Sequence, residues 1–228
     1  RGGKEAFYSN PILAEITQQA LADTGLPAEA VQLIPTTDRE ALNILLRLDE
    51  FIHCIIPRGG EGLIRFVAEN SRIPVIKHYK GVCNVYVDKD ADLNLAESIV
   101  ENAKCQRPGV CNAAENLFIH RDIASEFLPK ITRRLVDNDV ELRIASSAAN
   151  HLDGTDVPHS PATEEDFHEE FLDLILSVKT VDSLEDAIDA INRYGSGHSD
   201  AIVTTDETAA ETFLAGVDTA TAYWNAST

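Results

Sequence analysis

One thiol stands where it could do chemistry. In Gln106-Arg107-Pro108-Gly109-Val110-Cys111-Asn112 the Pro-Gly pair makes a tight turn and Cys111 follows two residues later. A thiol at the exit of a turn can project into a cleft, where nearby backbone amides stabilise a thiolate or an oxyanion. That is the chemistry of a covalent nucleophile. A small buried apolar cysteine fits the same position, and the spacing alone leaves both readings open. Of the other thiols, Cys54 lies inside an apolar strand and is expected in the core, while Cys83 and Cys105 have no special setting.

A second group suits an anion. Arg58-Gly59-Gly60 joins an expected strand to an expected helix, and glycines there let a phosphate approach the first helix amides. The spacing matches neither the dinucleotide fingerprint nor the P-loop, so a purely structural turn remains open. Arg1-Gly2-Gly3-Lys4 is a second glycine pair with two cations. Two such junctions in one parallel sheet would suit a dinucleotide phosphate. Lys77-His78-Tyr79-Lys80-Gly81 is a cationic cluster at an expected hinge, either a solvated loop or a site for an anionic substrate or cofactor. The acids Glu164-Glu165-Asp166 and Glu169-Glu170 read as a solvated surface.

The elements that must position these residues alternate between strand and helix. Asn10-Pro11 is expected to open a helix carrying Ile12, Leu13, Ile16, Ala20 and Leu21, closed by Gly25. Val31 to Ile34 reads as a short strand, and Asp38 caps a second helix. The apolar run Ile52 to Ile56 reads as a strand buried on both faces, Glu61 to Asn70 as helix, and Ile73 to Ile76 as strand. A second set of strands and helices begins near Gly81: strands at 84–88, 117–120, 141–145, 172–178, 201–204 and 219–224, and helices at 93–104, 123–135, 183–192 and 206–214. The polar stretch from Ser146 to Glu170 reads as a long surface excursion. The pattern predicts an α/β protein with a parallel, doubly wound sheet. We place the boundary between its two parts at 80/81, giving domains 1–80 and 81–228.

Composition narrows the function classes. The 228 residues are enough for a substantial core. With 19 Lys+Arg against 38 Asp+Glu, the formal net charge is -19. Such a surface repels phosphate backbones and anionic membranes, so neither nucleic acid nor membrane is expected as a partner. No run of 18 apolar residues is present. Cysteines without C-x-x-C spacing and scattered histidines give no metal pattern and fit free thiols in a reducing cytoplasm. The chain starts on a turn motif with no strand before it and ends without a cap, so we expect a part of a longer protein.

Together these residues carry a resemblance. Ile55-Ile56-Pro57-Arg58-Gly59-Gly60, Ile73-Pro74-Val75-Ile76, the segment Gly81 to Leu93, and above all Gln106 to Ala113 resemble the γ-glutamyl phosphate reductases of the aldehyde dehydrogenase superfamily. Ile191 to His198 and Trp224-Asn225-Ala226-Ser227-Thr228 fit as well. The resemblance implies a Rossmann-type cofactor-domain part in 1–80 and an α/β catalytic domain in 81–228. It implies NADPH-dependent reduction of L-glutamyl 5-phosphate to L-glutamate 5-semialdehyde in proline biosynthesis. By the same resemblance Cys111 is the nucleophile, Arg107 and Asn112 contact substrate, and Arg1, Lys4, Gly59 and Gly60 line the NADP site. His78-Tyr79-Lys80-Gly81 stands where hydrolytic aldehyde dehydrogenases carry Glu-Leu-Gly-Gly, so their water-activating glutamate is absent. A homodimer at full length and a functional link to glutamate 5-kinase are also implied. The alternatives are a coenzyme A-acylating aldehyde dehydrogenase, the reductase half of a bifunctional enzyme, and an inactive binding module.

Overall fold

A computed structural model describes residues 6–77 and 79–228. The chain divides into two compact units, Arg1–Tyr79 and Lys80–Thr228.

Among the described residues, the first unit holds the α-helices α1 (Ser9–Asp23), α2 (Arg39–Leu45) and α3 (Glu61–Asn70). Helix α1 begins one residue before the expected cap, with Pro11 in the first turn, where no amide partner is needed. Gly25, at φ +78°, follows its end, as a left-handed position requires. The expected apolar stripe faces solvent: Ile12, Leu13 and Ile16 are 57%, 61% and 60% exposed. Asp38 caps α2 by accepting from the Glu40 amide. Helix α3 buries Ile64 and Val67, three residues apart on one face.

The strands expected here are reduced. Val31 to Ile34 forms none. The runs 52–56 and 73–76 meet in a single parallel bridge, Ile55 to Val75. A run buried on both faces needs neighbouring strands and covering layers. Among the described residues this run has one bridge, and Cys54, expected in the core, is exposed.

The second unit is built on one sheet. Its strands are β1 (Cys83–Val87), β2 (Ala114–His120), β3 (Glu141–Ile144), β4 (Ser160–Pro161), β5 (Ile175–Val181), β6 (Ser199–Val203) and β7 (Thr221–Trp224). They lie in the order β4-β3-β5-β2-β1-β6-β7, all parallel. Helices α4 (Leu93–Cys105) and α5 (Arg121–Asp137) pack on the Val85, Val87, Leu117 and Ile119 side. Helices α7 (Leu184–Tyr194) and α8 (Glu207–Gly216) pack on the Tyr86, Phe118 and Ile202 side. Alternation along each strand separates the two cores. Side-chain caps from Asp92, Ser183 and Asp206 start α4, α7 and α8.

The stretch 146–170 is not a surface excursion. It forms helix α6 (Ser146–Ala149) and edge strand β4, and it buries Leu152, Val157, Asp166 and Phe167. Most of its polar residues stay exposed, and Asp166 is the one turned inward. Asp166 pairs with Arg143 at 3.1 Å and accepts from the Thr163 amide at 2.7 Å.

A polar row crosses the sheet centre. Asp200, Asn84, Asn116 and Ser177 stand at one register on β6, β1, β2 and β5. Asn84 donates to Asp200 Oδ1 through its amide at 3.0 Å and through Nδ2 at 2.6 Å. Asn116 Nδ2 donates to Asn84 Oδ1 at 2.8 Å and to the Phe167 carbonyl at 2.9 Å. Burial nonetheless raises the Asp200 carboxyl above its ordinary value.

Candidate active site

Cys111 lies half-buried in the loop between α4 and β2, just before β2 begins. Ligands in open parallel sheets usually bind beyond the carboxyl ends of the strands. Here the thiol stands at the amino ends instead. Gly81 precedes β1, segment 169–172 precedes β5, and His198 precedes β6, so all four lie along the same edge.

The loop is held by its backbone. The Cys111 carbonyl accepts a hydrogen bond from Cys83 Sγ at 3.3 Å. Cys83, to which the sequence gives no special setting, is therefore a buried partner of the loop. Burial drives its thiol well above the ordinary range, so it stays protonated and able to donate. Cys83 Sγ also lies 3.8 Å from His198 Nδ1. Gly81 packs on the other side: a Cβ there would come within 2.0 Å of the Cys111 carbonyl oxygen. The loop closes on itself through Ala113 N to Val110 O at 3.0 Å.

Three acids behind the loop were read as surface or passed over. Glu170 accepts from the Gly81 amide at 2.8 Å. Glu169 pairs with Lys80 at 3.5 Å. Glu115, four residues after Cys111, is fully buried with Lys104 at 2.7 Å and accepts from the Leu172 amide at 3.3 Å. Burial lifts the Glu115 carboxyl to about 7 against the attraction of Lys104. The sequence does not mark Glu115, because its pattern starts this strand at Leu117; in the structure Glu115 sits inside a strand whose residues are all buried, where a carboxylate demands a partner.

The predicted substrate residues flank the thiol on the same loop, Arg107 exposed and Asn112 half-buried. Gly59 and Gly60 lie in the first unit at the amino end of α3, where Gly60 is the cap and makes no side-chain bond. A Cβ on Gly60 would meet nothing within 4 Å. A Cβ on Gly59 would meet Leu63 at 2.7 Å, so the open space lies over Gly60, where a phosphate group has room to reach the first helix amides. Arg1, Lys4 and His78 lie outside the described residues. Of the cationic cluster, Lys77 lies over the Tyr79 ring at 5.0 Å, and Arg65 of α3 lies over the same ring at 4.6 Å. Cavities of about 520 and 480 Å³ lie around the carboxyl ends of the strands, and none of the predicted site residues lines them.

Known proteins share this architecture. Residues 7–150 match the aldehyde dehydrogenase family. The chain is 61% identical over its full length to the γ-glutamyl phosphate reductase of Opitutus terrae, and covers 54% of that protein. It is 52% identical to the γ-glutamyl phosphate reductase of Aquifex aeolicus, again over the full chain and 53% of the relative. The crystal structure of the Thermotoga maritima γ-glutamyl phosphate reductase superposes with a TM-score of 0.91 at 41% identity, covering all of this chain and 54% of that one. The chain thus spans about half the length of the relatives it matches. By its matched residues and its fold, this chain belongs to the aldehyde dehydrogenase family.

Proposed function

We propose that the chain carries the nucleophile of an NADPH-dependent γ-glutamyl phosphate reductase, which turns L-glutamyl 5-phosphate into L-glutamate 5-semialdehyde and phosphate. The observation that carries this reading is the 61% identity of the whole chain to a γ-glutamyl phosphate reductase. The half-buried Cys111 on a clamped turn supports the covalent route.

The Cys111 thiolate adds to the acyl carbon. A C–S bond forms, the C–O bond to phosphate breaks, and phosphate leaves with the electron pair. The Cys111 amide donates to the oxygen on which charge develops. Arg107 and Asn112, flanking the thiol, contact the substrate. Bound NADPH supplies the hydride that reduces the thioester. Collapse of the resulting thiohemiacetal breaks the C–S bond, returns the thiolate and frees the aldehyde. Gly59 and Gly60 at the start of α3 hold the diphosphate, and Arg1 and Lys4 the 2′-phosphate. The same reading carries a homodimer at full length and a functional link to glutamate 5-kinase.

The test runs the reaction backwards in a polypeptide of the relatives' full length. Glutamate semialdehyde and NADP should give NADPH only with inorganic phosphate, and Cys111→Ser should abolish the signal. Acceptance of coenzyme A in place of phosphate would overturn the substrate assignment and leave an acylating dehydrogenase.

A further inference from the structure

We propose that Glu170 is a positioning residue for Cys111, acting through Gly81. The inference rests on the reading of Cys111 as nucleophile and adds to it the device that fixes the thiol.

Gly81 is a glycine for reasons of space, not of backbone angle. An added Cβ would lie 2.0, 2.8 and 2.9 Å from the carbonyl oxygen, carbonyl carbon and Cα of Cys111. All three are backbone atoms, so no rotamer change relieves the contact. The entrance to β1 and the backbone of Cys111 are therefore in direct contact, and the position of one sets the position of the other. What fixes Gly81 is a carboxylate 89 residues along the chain: Glu170 Oε1 accepts its amide at 2.8 Å.

Glu170 is itself anchored. Two residues on, the Leu172 amide donates to buried Glu115 at 3.3 Å, and Glu115 is tied to Lys104 at the end of α4. The loop bearing Cys111 runs between those two anchors, since Lys104 precedes it and Glu115 follows it. Beside Glu170, Glu169 pairs with Lys80, next to Gly81. The segment 169–172 is thus stitched both to the foot of the nucleophile loop and to the glycine that touches the nucleophile. A carboxylate acting in this way needs only its acceptor oxygen, not its charge.

That distinction is the test. Glu170→Ala and Glu170→Gln are compared in a polypeptide of the relatives' full length. Alkylation of each cysteine by iodoacetamide is followed by mass spectrometry, together with kcat and KM. Glu170→Ala should slow Cys111 alkylation and lower kcat, on the order of 10²-fold for a thiol displaced by about 1 Å, with KM for NADP unchanged. Glu170→Gln keeps the acceptor and should restore both. Equal losses in the two variants would overturn the proposal and assign a role to the charge. A fall in thermal stability with unchanged Cys111 reactivity would overturn it in favour of a structural bond. Activity that survives Cys111→Ser would instead overturn the nucleophile reading on which it rests, whatever Glu170 does.

Discussion

Lys104 and Glu115 form an ion pair of 2.7 Å in which neither side chain is exposed to solvent. It ties the last turn of α4 to the first turn of β2 across the loop that carries Cys111. Two charges removed from water are costly, and their attraction offsets that cost only while both are present. Lys104→Met or Glu115→Leu alone should therefore destabilise by about 3–5 kcal/mol, while the double replacement should recover most of the loss. Urea unfolding of the four proteins closes the cycle. Single losses that simply add in the double variant would show that the pairing contributes nothing.

The same pair predicts a pH dependence. Burial raises Glu115 from an ordinary 4.5 to about 7, and lowers Lys104 from 10.5. A carboxyl that binds its proton more tightly when folded contributes stability fully below its unfolded value, and that contribution is lost as pH rises through its folded value. Lys104 works in the opposite sense: its contribution is present above 10.5 and lost as pH falls. Between pH 4.5 and 7 the Glu115 contribution declines. Glu115→Gln should remove that part of the slope, so its unfolding free energy should vary less than the parent's between pH 5 and 7.5. An unaltered slope would place the titration elsewhere.

Two glycines separate close packing from backbone strain. A Cβ on Gly195 would meet the Ile191 carbonyl at 2.6 Å and Asn84 Nδ2 at 2.9 Å, so it would push on the polar row that joins β1 to β6. A Cβ on Gly25 would meet nothing, but the residue sits at φ +78°. Gly195→Ala should cost about 1–3 kcal/mol through displacement of Asn84, and Gly25→Ala about 1–2 kcal/mol through strain alone. The two are told apart in solution. Only Gly195→Ala should increase hydrogen exchange at the Asn84 amide, which donates to Asp200.

What was legible in the sequence follows from what is local. The helices at 61–70, 93–105 and 184–194 were readable because cap and apolar period lie within one segment. Cys111 stands out as a candidate in the sequence because a turn and a thiol adjoin. The clamp around it was not, since Gly81, Cys83 and Glu170 come from three different stretches and only the sheet brings them to one edge. Glu170 looked like a solvated acid for that reason. Asp166 and Phe167 are hidden in a polar stretch whose turn formers disguise an edge strand and a part-buried pair with Arg143. The two apolar runs of the first unit failed in the opposite direction, because composition states that a strand could be buried but not what lies beside it.

Position 78 offers the sharpest test of the proposed chemistry. The resemblance sets His78-Tyr79-Lys80-Gly81 where hydrolytic aldehyde dehydrogenases carry a glutamate that activates water, and the proposed function rests on that glutamate being absent. A reductase that starts from an acyl phosphate gains by lacking it, because water attack on the thioester would discard the activated acyl group before reduction. His78→Glu should restore the base. In a polypeptide of the relatives' full length, given glutamate semialdehyde and NADP but no phosphate, the parent should make almost no NADPH if the proposed function holds, since its thioester then has no acceptor. The variant should make it steadily, with glutamate as the product, by roughly the 10²-fold or more that a positioned general base contributes. Phosphate-independent turnover that stays at the parental level would mean that a carboxylate at position 78 does not activate water toward the thioester. The absence of a base would then no longer explain why the intermediate survives to be reduced.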